Sequence, residues 1–146
     1  MNTKPKLLFL ILLAVLSIQC EKDEPIPEVT IPDNNFLNAL IEQGIDTNGD
    51  KIISPAEAAV VTFLSVSGED ISDMTGIEAF INLDSLYCQS NQVTNLDVSN
   101  NVALSFLACG WNQLTSLDVS MNTQLEMLDC WINHLTSLDV SNNTAL

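Results

Sequence analysis

Most of the chemistry that this 146-residue chain could perform with its side chains is concentrated between Asp46 and Glu57. In Asp46-Thr47-Asn48-Gly49-Asp50-Lys51-Ile52-Ile53-Ser54-Pro55-Ala56-Glu57, oxygen-bearing side chains stand at positions 1, 3, 5 and 9, and a carboxylate at position 12. Alternate positions of a tight loop point inward. This spacing can therefore gather the roughly six to eight oxygens that a calcium ion takes, with the last glutamate closing the shell. A second use of the same glutamate stays open. Ser54-Pro55-Ala56-Glu57 has the form of a capping box with proline at N1, in which Glu57 would cap a helix running through Ala58, Val60 and Val61. The other reactive groups are few: Cys20, Cys88, Cys109, Cys130 and the single histidine, His134.

The charge balance narrows the partners. Nineteen acidic residues face four basic ones, Lys4, Lys6, Lys22 and Lys51, and there is no arginine, so the formal charge is −15. Such a surface repels phosphate backbones, which excludes nucleic acid as a partner and disfavours anionic lipid. One histidine and no arginine leave little material for general acid–base or phosphoryl-transfer chemistry. No Ser/His/Asp arrangement, paired catalytic carboxylates or phosphate loop is legible, and the chain is expected not to be an enzyme.

The elements that must position the oxygen-rich loop flank it. Pro32-Asp33 opens a helical pattern in which Phe36, Leu37, Leu40 and Ile41 share a face, and Gly44 is placed to stop it. Residues 32–62 thus predict a helix–loop–helix. The loop resembles that of an EF-hand, or the related dockerin loop. The resemblance implies calcium held by Asp46, Asn48, Asp50, Ile52, Ser54 and Glu57, with Ile53 at position 8 anchoring the loop to the core. Two departures stand out: Lys51 occupies the position where such loops carry glycine, and the loop is single where EF-hands and dockerins work in pairs.

Upstream, Lys4 and Lys6 precede the apolar run Leu7–Leu16, followed by Ser17-Ile18-Gln19-Cys20. This is a charged n-region and a signal-length apolar segment, too short to span a bilayer comfortably. A cysteine where cleavage should fall resembles the bacterial lipoprotein signal, although Ile18 and Gln19 depart from the small residues usual before it. The resemblance implies removal of residues 1–19, lipid on Cys20 and a mature charge of −17, because Lys4 and Lys6 leave with the leader. Cys20-Glu21-Lys22-Asp23-Glu24 is similar to the tag that directs some lipoproteins to the outer face of the Gram-negative outer membrane. Residues 20–31, with Pro25 and Pro27, read as an extended tether.

From residue 83 the chain repeats every 21 residues, in units 83–103, 104–124 and 125–145, with Leu146 opening a fourth. Leu83/Leu104/Leu125, Leu86/Leu107/Leu128, Cys88/Cys109/Cys130, Asn91/Asn112/Asn133 and Val93/Leu114/Leu135 keep fixed places. A divergent leading unit, 63–82, aligns Leu64, Val66, Ile71 and Met74 with a 22-residue offset. The pattern resembles the leucine-rich repeat of internalin-like bacterial proteins. It implies an α/β-type repeat solenoid, mostly extended, with one short parallel strand per coil and the helix–loop–helix as its N-terminal cap. Leu96, Val98 and Asn101 copy the spacing of Leu86, Cys88 and Asn91, so the far side of each coil is expected to be extended too.

Within this frame Cys88, Cys109 and Cys130 are expected to form a ladder of free, inward thiols packing as small apolar groups. The three asparagines are expected to bond neighbouring coils. Asp97, Asp118 and Asp139 make a like-charge ladder costing about 0.9 kcal/mol per step at strand spacing in water-like dielectric, offset by nearby hydroxyls. The variable side chains flanking the inward leucines are Tyr87, Gln89 and Ser90, then Phe106, Gly110 and Trp111, then Asp129, Trp131, Ile132 and His134. Both tryptophans and the only tyrosine fall there. Exposed aromatics of this kind serve recognition, the competing readings being that the rings cover coil edges or that later repeats bury them. The functional expectation is a lipid-anchored, surface-exposed outer-membrane module. It would bind a protein or glycan through Tyr87, Phe106, Trp111, Asp129, Trp131 and His134, with a calcium-stabilised cap. Two alternatives stand beside it: a dockerin-like calcium-dependent assembly module, or the N-terminal part of a larger envelope protein whose repeats continue.

Overall fold

A computed structural model describes residues 28–146; the leader, Cys20 and residues 20–27 of the tether lie outside the described residues. Helix α1 (Asn34–Glu42) starts where Asp33, in extended conformation, accepts the amides of Asn35 and Phe36 through Oδ1 at 2.8 and 3.1 Å. It ends at Gly44, whose φ of +75° lets the Gly44 amide reach Ile41 O and the Ile45 amide reach Leu40 O, a Schellman closure. Helix α2 (Pro55–Ala59) opens with the capping box: Ser54 Oγ accepts the Glu57 amide, and Glu57 returns to the Ser54 amide at 3.0 Å. It is shorter than the pattern through Val61 predicts, because Val60 is already the C-cap and is exposed.

Four three-residue strands come next: β1 (Phe63–Ser65), β2 (Ser85–Tyr87), β3 (Phe106–Ala108) and β4 (Met127–Asp129). They form one parallel sheet in chain order, with Leu64, Leu86, Leu107 and Leu128 in register. The repeat solenoid is therefore present as expected, and the 22-residue offset of the leading coil is the observed register of β1 on β2. A single 3-10 turn at Ile77–Ala79 lies in the leading coil; the far sides of the later described coils carry turns and extended chain, not helix.

A 21-residue coil cannot enclose its own leucines, so each coil is completed by its neighbours. The resulting core is continuous. It runs from Phe36, Leu40, Ile53 and Ala58 of the helical segment through Leu64, Ile77 and Phe80 to Leu86, Leu104, Leu107 and Leu125. Ile53, predicted to anchor the loop, is buried. Gly76 (φ +105°) allows the incoming segment to cross it: a Cβ there would meet Ile31 Cγ1 at 2.6 Å and Thr30 O at 2.9 Å.

Buried amides stitch the stack. Asn91 Nδ2 donates to Val66 O and Cys88 O while its Oδ1 accepts the amides of Glu69 and Ile71. Asn112 and Asn133 repeat the pattern one coil on. A second ladder, Asn101, Asn122 and Asn143, donates to main-chain oxygens of the preceding coil, among them Phe80 O, Asn101 O and Asn122 O. The Oδ1 of each is buried with no partner among the described residues. Satisfying the backbone carbonyls of the turns is worth leaving one side-chain acceptor bare in each coil.

Candidate functional site

The outward positions of the strands form one face, exposed at Phe63, Ser65 and Met127, half-buried at Ser85, Tyr87, Phe106 and Asp129, and buried at Ala108. In register across the sheet these are Phe63, Ser85, Phe106 and Met127 in one row, and Ser65, Tyr87, Ala108 and Asp129 in the other. Tyr87 lies between two phenylalanines, 5.4 Å from Phe63 at a tilt and stacked on Phe106 at 4.6 Å, so three rings from three coils cross the face in a zigzag between its two rows. The sequence places Tyr87 and Phe106 there. Phe63 and Met127, exposed at 59 and 54 %, are not among the predicted face residues. Phe63 escapes because its coil is the divergent one, and Met127 because an unbranched apolar side chain carries no recognition signal.

Beyond the strands lies a second aromatic group. Trp111 and Trp131 pack edge to face, 5.4 Å apart at 79°, and each is about half exposed. The backbone brings them together. The Trp111 amide donates to Trp131 O at 2.9 Å, and Gly110, whose missing Cβ would fall 2.9 Å from the Trp131 indole, leaves that ring room to lie against the coil. The same vacant position is 3.0 Å from Asp129 Oδ1, so indole and carboxylate converge on one glycine.

A left-handed residue precedes each stitching asparagine or its counterpart: Gly68, Ser90, Trp111 and Ile132, with φ between 50° and 76°. Glycine tolerates this at no steric cost, whereas a tryptophan and a β-branched isoleucine are strained there by about 1 kcal/mol each. Strain of this kind collects where the side chain has work to do at the surface. Ile132 is 49 % exposed beside the tryptophans. His134 lies two residues past this turn, exposed, its amide bonded to Leu114 O.

The loop of residues 46–57 is drawn together by hydrogen bonds of its own. Asp46 accepts the amides of Gly49 and Lys51 at 2.7 and 2.9 Å, Asn48 Oδ1 accepts the Asp50 amide, and Asp50 Oδ1 accepts the Ile52 amide. Lys51 takes φ +66°, the left-handed turn that glycine provides at this place in related loops. Glu57 is buried and holds four donors: the amide and hydroxyl of Ser54, and those of Thr47 at 2.8 and 2.7 Å. The Ser54 amide first, with Thr47 and the Ser54 hydroxyl, keeps its carboxyl at about 2 rather than 4.5. Among the described residues no three Asp, Glu, His or Cys side chains are gathered as a ready metal site. The amide, hydroxyl and main-chain oxygens of Asn48, Ser54 and Ile52 belong to a hard-cation donor set, so the residue chemistry fits calcium, although Glu57 is already fully occupied.

Cys88, Cys109 and Cys130 are free thiols one above another. Burial, with lesser repulsion from its neighbours, pushes Cys109 up to about 12 and raises the other two. They pack as thiols, Cys88 and Cys109 buried and Cys130 half-buried. On the far side, Asp97, Asp118 and Asp139 line open polar grooves with Thr115, Ser116 and Ser120. Each carboxylate accepts from the serine two residues on, at 2.9 to 3.0 Å, and those bonds hold all three below the usual range.

The comparison that decides the class of solenoid is with a solved functional domain of internalin J from Listeria monocytogenes, described as including a cysteine ladder. It superposes with a TM-score of 0.73 at 43 % identity, over 79 % of this chain and 25 % of that one. The repeat region is internalin-like. Internalin J of L. monocytogenes serotype 4b is 41 % identical over 70 residues, which are 48 % of this chain and 8 % of that protein. The internalin InlF of the same species shares the fold, with a TM-score of 0.66 at 24 % identity over 80 % of this chain and 42 % of that chain. This chain thus spans a quarter or less of the length of the internalin J chains it matches. No protein-family model matches it.

Proposed function

We propose that the chain is a cell-envelope binding module, lipid-anchored at Cys20 on the outer membrane, that presents the strand face of its internalin-like solenoid to a protein or glycan. The observation that carries this is a surface with two aromatic groups: Phe63, Tyr87 and Phe106 in ring contact across three coils, and Trp111 and Trp131 beyond them, each half exposed and Trp111 held in left-handed backbone. Large rings held rigidly at a surface give contact area at low entropic cost, the composition of binding hot spots. The reading is tested in two steps. Protease added to intact cells should remove the protein from the surface without lysis; protection until lysis would turn the face toward the periplasm. The unlipidated chain should then bind a subset of an array of glycans and extracellular proteins, and Trp111→Ala with Trp131→Ala should lose that subset while keeping the far-UV circular dichroism. An unchanged set of bound spots overturns the site.

The cap is proposed to bind calcium through Asp46, Asn48, Asp50, the Ile52 carbonyl, Ser54 and Glu57, with Glu57 exchanging its bonds to Thr47 for the ion. The left-handed turns at Gly49 and Lys51 and the alternate oxygens support it. Calcium should raise the melting temperature of the wild type and leave Asp46→Ala/Glu57→Ala unchanged, as read by differential scanning calorimetry with and without chelator. A rise that survives the double substitution removes the loop from consideration.

A further inference from the structure

We propose that the Trp111–Trp131 corner, closed on one side by Asp129, is a site for an ammonium group, and that the partner it receives is a lysine-bearing segment of a cationic protein. The proposal rests on the strand-face reading and names what that face selects. Three observations carry it. The indoles meet at 79°, which makes a corner rather than the flat platform on which a sugar ring stacks, and each keeps about half its surface open. Aromatic faces attract cations, most strongly those of tryptophan. Asp129 is brought against the same spot by Gly110, and among the described residues its carboxylate accepts only a long bond, 3.4 Å, from the Trp131 amide.

The third observation is the field of the whole chain. With 19 acidic residues to 4 basic ones and no arginine, a cationic partner is steered in while acidic ligands are repelled. Of the four lysines only Lys51 lies among the described residues, and it sits in the loop of the cap, not on the strand face. Nothing basic on the sheet's outward rows competes for the corner.

Both tryptophans of the chain are in the corner, so intrinsic tryptophan fluorescence reports this site alone. Acetylated, amidated pentalysine should change the emission saturably, with an affinity that falls as salt is added. Asp129→Asn should weaken it about tenfold, and Trp131→Ala, read through Trp111, by at least as much. Asp118→Asn, on the far side, should leave it unchanged; circular dichroism and melting curves confirm that each variant is folded. Equal weakening by Asp118→Asn and Asp129→Asn would reduce the effect to diffuse charge and overturn the site. A response to neutral chitopentaose with none to pentalysine would also overturn the ammonium assignment, while leaving the strand face a recognition surface for glycans. No response to either probe overturns it as well, and the array experiment then decides the face independently.

Discussion

Lys51 and Gly110 show how much one residue's backbone or missing side chain can decide. Lys51 holds a left-handed φ of +66° so that its amide can reach Asp46 Oδ2, and it does so without glycine's freedom. Lys51→Gly should therefore raise stability by up to about 1 kcal/mol in urea titration, since strain relief outweighs the extra unfolded-state entropy. The same change removes a cation from the proposed calcium loop, so isothermal titration should show tighter calcium binding. At Gly110 the direction reverses. A methyl group there would meet the Trp131 indole at 2.9 Å, and Gly110→Ala should turn the ring outward. The expected result is a red-shifted tryptophan emission with less than about 2 kcal/mol lost, because the displaced ring is a surface one. Neither position is legible from residue type: a lysine is a poor advertisement for left-handed backbone, and the Gly110–Trp131 contact joins coils that only a known register brings together.

At the scale of elements, the helical segment is held to the first coil by a carboxylate that the sequence marks only as a helix start. Asp33 caps α1 through Oδ1, and through Oδ2 accepts the amide and hydroxyl of Ser72 and the amide of Asp73 at 2.8, 2.8 and 3.1 Å. Burial raises its pKa, but the bonds from Ser72, Phe36 and Asp73 outweigh it and hold the group at about 2. Gln43 and Asn35 add bonds to Ser65 O and Asp70 O. Asp33→Ala should cost about 2 kcal/mol, from a lost cap and a lost inter-element link, and should loosen α1 in hydrogen exchange before the strands. The sign of the shifts sets the pH dependence. Asp33 and Glu57 titrate near 2 in the folded chain against 3.8 and 4.5 ordinarily. Their contribution is complete above about 4.5 and is lost as pH falls toward 2. Melting temperature measured from about pH 6 to about pH 2.5 should fall within that window, and less steeply in Asp33→Ala. The strands, their order and the offset of the leading coil are all legible in the sequence, because a period of 21 repeats the same inward leucine until no other register buries it. The four partners of Glu57 are half legible: the capping box names Ser54, but Thr47 joins only once the loop is folded.

The whole molecule is a stack that repeats its charges along with its leucines. Asp97, Asp118 and Asp139 recur because the coil recurs, and 19 acidic side chains against 4 basic ones leave the folded chain working against its own field. Sodium chloride raised from about 0.01 M to about 0.15 M shortens the screening length from about 30 Å to about 8 Å. The melting temperature should rise over that range, and a fall would show that local hydrogen bonds, such as those from Ser99 and Ser120, already outweigh the repulsion. The exposed face is visible in the sequence as a set of variable positions, yet its extent is not. Phe63 joins it through β1, in the coil whose sequence departs most from the others.

The asparagine ladders also have a direction. Asn91 and Asn112 reach main-chain groups of the coil before them, and Asn101, Asn122 and Asn143 do the same; none of these amide donors reaches forward. These side chains find their acceptors in the coil before, whereas main-chain amides such as those of Cys88, Cys109 and Trp111 donate to the coil after. A nascent chain emerges N-terminus first, so every new asparagine meets its acceptors already in place and can lock on arrival. The side-chain bonds thus favour building the stack outward from the Asp33-capped helix, while the strand amides are satisfied only when the next coil arrives.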